Sequence, residues 1–400
     1  MNLRVGHISD LHYCMEHLTE VNRCTDAAVG EIIRRQCDVA VLSGDSTDHR
    51  LDLHSPAVSA LLNQVHRLAN SCPVLILHGT ASHEPPGTLD VFKTIAGKFP
   101  VYVADRIKQV ALVSGRWIES EDWFFKTIPA DARALFSVLP SVDKGAVAAA
   151  RGAEHAASAT GELVYDLLKA WSIPNLAARL AGVPTIGVSH GTVSGSMTEH
   201  GVPMIGLDFE FTTGSLFAAE CSAFFLGHIH QMQVWEHNGR RVAYPGSIGR
   251  LHFGEITDKG FLIWDVQPNG ATTEFIVTPA KRLIQVEFKG PPDMEKLREI
   301  AWEAHGAHVR IRYELDEENR HLADKEAITA LFAGAAACKI EGHINPIVRT
   351  RSEGMNRTHS LAEKLKKWGE VTTTDTEPLL ERLSLLEHKD PDAIVAEVTQ

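Results

Sequence analysis

Seven side chains have the type and placement to do chemistry: Asp10, His12, Asp45, His83, His190, His228 and His230. The densest stretch is Phe224-Phe225-Leu226-Gly227-His228-Ile229-His230, an apolar run that ends in glycine and two histidines one residue apart. In extended or tightly turning backbone, residues i and i+2 point the same way, so both imidazoles can face one point. Neutral imidazole is the commonest transition-metal ligand. Taken alone, the pair also fits two solvated loop histidines in a chain that has 21 of them. Together with Asp10, His12, Asp45 and His190 it exceeds what one four-coordinate site uses. A carboxylate can bridge two cations, and Asp45, directly after Gly44, is the natural bridge. Two cations about 3.5–4 Å apart clamp a phosphoryl group. Mixed nitrogen and oxygen ligation without thiolate suits manganese, iron or zinc more than magnesium or calcium.

The elements that must carry these residues follow one grammar. Strand candidates at 3–8, 38–42 and 74–77 alternate with helical patterns at 18–36 and 56–70. Later strand candidates at 184–188, 223–226 and 242–244 obey the same rule. Continuous apolar strands alternating with helices imply a buried, largely parallel or mixed sheet covered by helices. Each candidate side chain falls just past such a run, where ligands gather in open α/β sheets. Five separate segments thus deliver ligand-type side chains to one sheet edge.

Between about 115 and 182 the pattern lapses into an alanine-rich stretch, with Val164, Leu167, Leu168 and Trp171 in helical register. It reads as a helical insertion over the sheet. Strands at 260–266 and 273–277 close a first domain of residues 1–280. Residues 281–350 read as a small α+β domain, with strands near 283–288 and 308–313 and helices through Leu297 and over 324–333. In 351–400, Ser360-Leu361-Ala362-Glu363 fits a capping box. Leu361, Leu365 and Trp368, then Leu379, Leu380, Leu383 and Leu386, give two apolar stripes that bury against their own domain or a partner.

Composition sets outer bounds. Four hundred residues, 44% hydrophobic and 22% charged, suit two or three globular domains. There is no apolar run of membrane-spanning length, and the start of the chain does not resemble a signal peptide. Six cysteines without close pair spacing fit reduced thiols, and a cytoplasmic location is expected. The formal charge of −12 argues against nonspecific coating of nucleic acid, though not against a local basic channel.

Taken in order, Asp-x-His (10, 12), Gly-Asp (44, 45), a His-Glu turn (83, 84), His190 and Gly-His-x-His (227–230) resemble the calcineurin-like metallophosphoesterases. Tyr244-Pro245-Gly246-Ser247-Ile248-Gly249-Arg250, Phe253-Gly254-Glu255 and Lys259-Gly260-Phe261 resemble, more narrowly, the SbcD-type nuclease subunits of DNA double-strand-break repair. Motifs carry the resemblance over residues 1 to about 265, and only the layout carries it beyond. It implies a metallophosphoesterase sheet sandwich covered by helices, a capping domain at 281–350, and a helical tail at 351–400 that docks on an SbcC-like SMC-type ATPase. It further implies two divalent cations, manganese first, with iron or zinc compatible. Asp10, His12, Asp45 and His230 would hold one cation, and Asp45, His190 and His228 the other, with His83 catalytic. DNA and the ATPase are the implied partners, with no membrane, and a homodimer is left open. The implied activity is exonuclease and endonuclease hydrolysis of DNA in repair or recombination. A phosphodiesterase for a small nucleotide or lipid headgroup, and an inactive phosphoesterase-fold scaffold, are the rival readings.

One departure bears on the second cation. The family has Gly-Asn-His, whose asparagine is a ligand, where this chain has Gly79-Thr80-Ala81-Ser82-His83. Ser82 takes the place before the histidine, as a weak or water-mediated ligand or none, while His78 is a stronger donor but lies before the glycine, so the second site is expected to be the weaker.

Overall fold

The computed structural model describes residues 2–141, 156–198, 210–346 and 360–398. It divides into two compact units, one of Met1–Val286, Ile300–Arg310 and Phe332–Lys339, the other of Glu287–Glu299, Ile311–Leu331 and Ile340–Gln400.

In the first unit, β1 (Leu3–Ile8), β2 (Val39–Leu42), β3 (Val74–Leu77) and β4 (Val101–Ala104) run parallel. Helices α1 (Leu18–Arg34) and α2 (Pro56–Ala69) link the first three. β14 (Gly260–Gln267) pairs antiparallel with β1, and β15 (Gly270–Val277) with β14, giving the order β15-β14-β1-β2-β3-β4. A second sheet runs β12 (Gln233–His237), β13 (Arg240–Tyr244), β11 (Ala223–Gly227), β8 (Thr185–His190), β7 (Ala132–Leu139), β5 (Lys108–Val113) and β6 (Arg116–Glu119). Its central strands β13, β11, β8 and β7 are parallel, and its edges antiparallel. The short strands β9 (Thr192–Val193) and β10 (Glu210–Phe211) pair parallel by themselves.

Strand periodicity sorts the side chains into layers. Leu3, Val5, Val39, Val41, Leu75 and Leu77 meet Phe136, Val138, Ile186, Val188 and Phe225 between the sheets. The alternate residues Ile8, Ala40, Leu42, Val74 and Ile76 pack under Val21, Cys24, Ala28 and Ile32 of α1 and Leu61, Val65 and Leu68 of α2. On the outer face of the second sheet, Phe224, Leu226 and Val242 pack with Val164, Leu167, Leu168 and Trp171 of α3 (Ala156–Leu180) and Leu216 of α4 (Thr213–Ala218). The product is an α/β sandwich of two mixed sheets flanked by helices. Both faces of each central strand are buried, which is why those strands read as unbroken apolar runs.

The stretch from about 115 to 182 differs from the helical insertion expected. It holds β6 and β7, and only residues 156–180 are described as helix, while 142–155 lie outside the described residues. β7 is buried nearly throughout between β5 and β8, so Ala132-Arg133-Ala134-Leu135-Phe136-Ser137-Val138-Leu139 reads as alanine-rich while it packs as a core strand.

Strands β16 (Leu283–Lys289), β17 (His308–Asp316) and β18 (Ala337–Asn345) form a small sheet in the order β16-β17-β18. On β17, Val309, Ile311, Tyr313 and Leu315 alternate inward with period two. Two helices, α5 (Met294–Glu303) and α6 (Lys325–Leu331), bury Leu297 and Ile328. The second unit ends in α7 (Leu361–Thr372), α8 (Glu377–His388) and α9 (Pro391–Val398). The Ser360 hydroxyl accepts from Glu363 N at 3.1 Å, capping α7 as the capping box requires. Leu361, Val371 and Leu386 are each more than half exposed. No described helix is long and apolar enough to cross a membrane.

Candidate metal centre

Each candidate ligand lies at or just past the carboxyl end of a central strand: β1 for Asp10 and His12, β2 for Asp45, β3 for His83, β8 for His190, its last residue, and β11 for His228 and His230. The loops are held in unusual backbone conformations. Asp10 (φ 51°), His12 (φ 49°), Asp45 (φ 51°) and His228 (φ 105°) all have positive φ. Such conformations cost on the order of 1–3 kcal/mol each in non-glycine residues and persist where the surroundings over-determine them.

Two glycines let the loops close. A Cβ on Gly44 (φ +103°) would lie 2.3 Å from His190 Nδ1, and one on Gly79 2.3 Å from both the Asp45 nitrogen and Oδ1. With those atoms absent, His12 N reaches the Asp45 carbonyl at 3.0 Å and Asp10 N the Gly44 carbonyl at 3.2 Å.

The side chains gather into three groups whose ligand atoms lie within 4.8 Å of one another. Asp10, His12 and His230 form one, Asp45, His190 and His228 a second, and His12, Asp48 and His83 a third. Asp10, His12, Asp45 and His190 are buried. The His12 and His230 Nε2 atoms face each other at 3.1 Å. His190 Nε2 lies 3.1 Å from Asp45 Oδ2. The Asp10 carboxylate accepts from His228 N at 3.0 and 3.1 Å.

Outer partners orient the rings. His190 Nδ1 lies 2.7 Å from the Ser43 carbonyl, and His230 Nδ1 3.0 Å from Glu255 Oε1. A carbonyl and a carboxylate only accept, so both rings carry their proton on Nδ1 and turn Nε2 to the centre. His12 turns Nδ1 toward Asp48 Oδ1 at 3.5 Å. Two Nε2 atoms 3.1 Å apart, one on buried His12 and one on half-buried His230, need a cation or a proton between them, so the residues present fit a divalent metal. Burial alone drives Asp45 and His190 toward their neutral forms. Their mutual attraction outweighs it, holding Asp45 below the usual carboxylate range and His190 up at about 10. A cation held by Asp45 and His190 would take the place of that proton. Carboxylate and imidazole donors without thiolate suit manganese, iron or zinc. Cys14 is buried and joins none of the groups.

His83 is half-buried. Its Nδ1 meets the Asp48 carbonyl, its own carbonyl accepts from Thr47 Oγ1 at 3.0 Å, and its ring stands edge-on to His12. The altered turn resolves differently from expectation. Ser82 is exposed, whereas Thr80, directly after the glycine, sits on Asp45. Thr80 N donates to Oδ1 at 2.7 Å and Thr80 Oγ1 to Oδ2 at 3.2 Å. The two extra residues bulge outward between Thr80 and His83, so the place after the glycine decides what meets Asp45.

Four residues of the site have no role in the sequence reading: Asp48, and Thr80, Glu84 and Glu255, which appear there only within motifs. Glu84 is fully buried and its carboxylate ties the β2 and β3 loops through Ser46 N at 2.5 Å and Gly79 N at 2.6 Å. The spacing Asp45-x-x-Asp48 and the acid directly after His83 were the available signals, but either pattern also fits an ordinary solvated loop.

No family model matches the chain. An uncharacterized metallophosphoesterase of Bacillus subtilis (strain 168), YhaO, is 36% identical over 90 residues, which are 22% of this chain and 21% of that protein. The chain thus matches about a fifth of that relative's length. Among solved structures, GAP50, the anchor in the inner membrane complex of Plasmodium, is similar at 15% identity and a TM-score of 0.42, over 70% of this chain and 85% of its own. A dimetal phosphatase from Danio rerio is similar at 10% identity and a TM-score of 0.42, over 69% and 98%. The chain's own sheet order is that of an α/β sandwich of two mixed sheets flanked by helices, consistent with a calcineurin-like phosphoesterase fold, and its clustered aspartates and histidines offer two candidate metal sites.

Proposed function

We propose that the chain is a two-metal phosphodiesterase. One observation carries this: buried aspartate and histidine side chains from separate strand ends form adjacent groups, with imidazole Nε2 atoms turned inward. Asp10, His12 and His230 would hold one cation, His190 and His228 the other, with Asp45 bridging. Those residues would hold cations whose chemistry, when bound, would be to polarise the phosphoryl oxygens and activate a water. His83, anchored through Nδ1 on the Asp48 carbonyl, keeps Nε2 to hold a proton for the leaving oxygen. Thr80 offers a hydroxyl where the family has an amide, so the second site is the weaker one and activity depends on free metal.

The substrate class that fits best is a small nucleotide or another compact diester. With a net charge of −12, the chain has little general attraction for polyanionic DNA. The test is turnover of a chromogenic diester, a dinucleotide and duplex DNA by the purified chain with added manganese. Metal-dependent cleavage of the diester, abolished in Asp45→Ala, is expected. No turnover of any diester with manganese, iron or zinc overturns the reading.

A second reading, a DNA nuclease working with an SbcC-like ATPase, is favoured by the Tyr244–Phe261 motifs and by the exposed apolar side chains of α7 and α8. On it, 281–350 caps the active site and residues from about 355 to 400 dock on the ATPase coiled coil. Deleting 355–400 would then abolish co-purification with the ATPase while diester turnover persists. Retained co-purification excludes docking through this segment.

A further inference from the structure

The loop between Tyr244 and Phe261 supplies none of the grouped ligands, yet its buried charges converge on one of them. Glu255 is fully buried. Its Oε1 lies 3.0 Å from His230 Nδ1, 3.2 Å from Lys259 Nζ and 3.5 Å from Ser247 Oγ. Its Oε2 accepts from the main-chain nitrogens of Leu251 and His252. Lys259, buried as completely, also donates to the His230 carbonyl at 2.9 Å and to Ser247 Oγ at 2.8 Å. The Lys259 ammonium and the main-chain nitrogens of Leu251 and His252 can only donate to the Glu255 carboxylate. An ionised carboxylate is the side chain that offers acceptor sites alone, about four of them. A glutamine there would set its own N–H groups against donors.

We propose that Glu255 and Lys259 are a positioning pair for His230 that sets the cation affinity of the group it shares with Asp10 and His12. Glu255 holds the ring proton on Nδ1, so the Nε2 lone pair faces the centre. Lys259 holds the main chain of the same residue, and its charge lets Glu255 stay ionised out of water. Without the carboxylate, the opposite tautomer aims a proton at His12 Nε2, 3.1 Å away, and the ring ceases to be a ligand. Outer carboxylates on metal-binding histidines typically contribute about 10–100-fold in affinity. The inference rests on the two-metal reading and assigns a role to residues outside the ligand set.

The test uses the full chain labelled with ¹⁵N-histidine, with His230 signals assigned by a His230→Gln control. In metal-free wild type, long-range ¹H–¹⁵N spectra should show His230 protonated on Nδ1. Glu255→Gln should lose that pattern. In manganese titrations followed by electron paramagnetic resonance, it should weaken one of the two sites about 10–100-fold and the other far less. Should Glu255→Gln fail to fold, Glu255→Gln/Lys259→Met removes both buried charges and carries the same test. An Nε2–H tautomer in wild type, or unchanged affinity at both sites of the variant, overturns the positioning role while the two-metal reading stands. A wild type that binds no manganese overturns the two-metal reading, and with it the inference; the tautomer, read on metal-free protein, tells whether the Glu255 contact survives on its own.

Discussion

His7 makes the fold acid-sensitive in a way that can be measured apart from the metal centre. It lies on β1 with its ring stacked on Phe225 at 4.7 Å, between the two sheets. Trp264 Nε1 donates to its Nδ1 at 3.3 Å, and its Nε2 meets Ser43 Oγ at 2.8 Å. The indole N–H fixes Nδ1 as the acceptor, so the ring is neutral with its proton on Nε2, and a second proton has no partner. Burial lowers the imidazole from 6.5 to about 3. Below pH 6.5 the unfolded chain binds a proton that the folded chain refuses, so stability falls as pH falls, down to the folded value. The loss is about 1.4 kcal/mol per pH unit, hence about 2 kcal/mol between pH 7.5 and 5 and at most about 5 kcal/mol by pH 3. His7→Gln keeps an acceptor for the indole and a donor for Ser43 but does not titrate. Urea unfolding of both proteins in chelator, at pH 7.5 and 5.0, isolates the effect, because every other titrating group is shared. Wild type should lose about 2 kcal/mol more than the variant. Equal losses would refute a neutral, buried His7.

Two further substitutions address the centre itself. Gly79→Ala sets a Cβ 2.3 Å from the Asp45 nitrogen and Oδ1, which cannot both yield. It should cost about 1–3 kcal/mol in thermal unfolding and weaken manganese binding in titration. His83→Ala should keep the manganese stoichiometry while slowing diester hydrolysis on the order of 10²–10⁴-fold in steady-state assays.

What could be read in the sequence and what could not divide along physical lines. The central strands and the two helices on the first sheet were legible because burial on both faces leaves an apolar run, and burial on one face leaves a helical stripe. Strand β7 was not, since alanines at 132 and 134 suggest helix until the neighbours β5 and β8 are known. Asp10, His12, Asp45, His190, His228 and His230 stood out by type and by place after a strand. Glu255 could not, because its partner His230 is 25 residues away and only the folded loop turns the carboxylate inward. Thr80 was passed over for Ser82 because counting back from His83 ignores where the chain bulges. The backbone hydrogen bond of Thr80 to Asp45, and not sequence distance to the histidine, selects the residue at the centre.

The number of manganese ions held by the full chain, counted by equilibrium dialysis at saturating free metal, bears most directly on the central claim. Wild type should bind two, and Asp45→Ala, which removes the shared carboxylate, should lose tight binding at both sites. A wild type that binds one ion or none, or an Asp45→Ala chain that still holds two tightly, would contradict a two-metal centre bridged by Asp45.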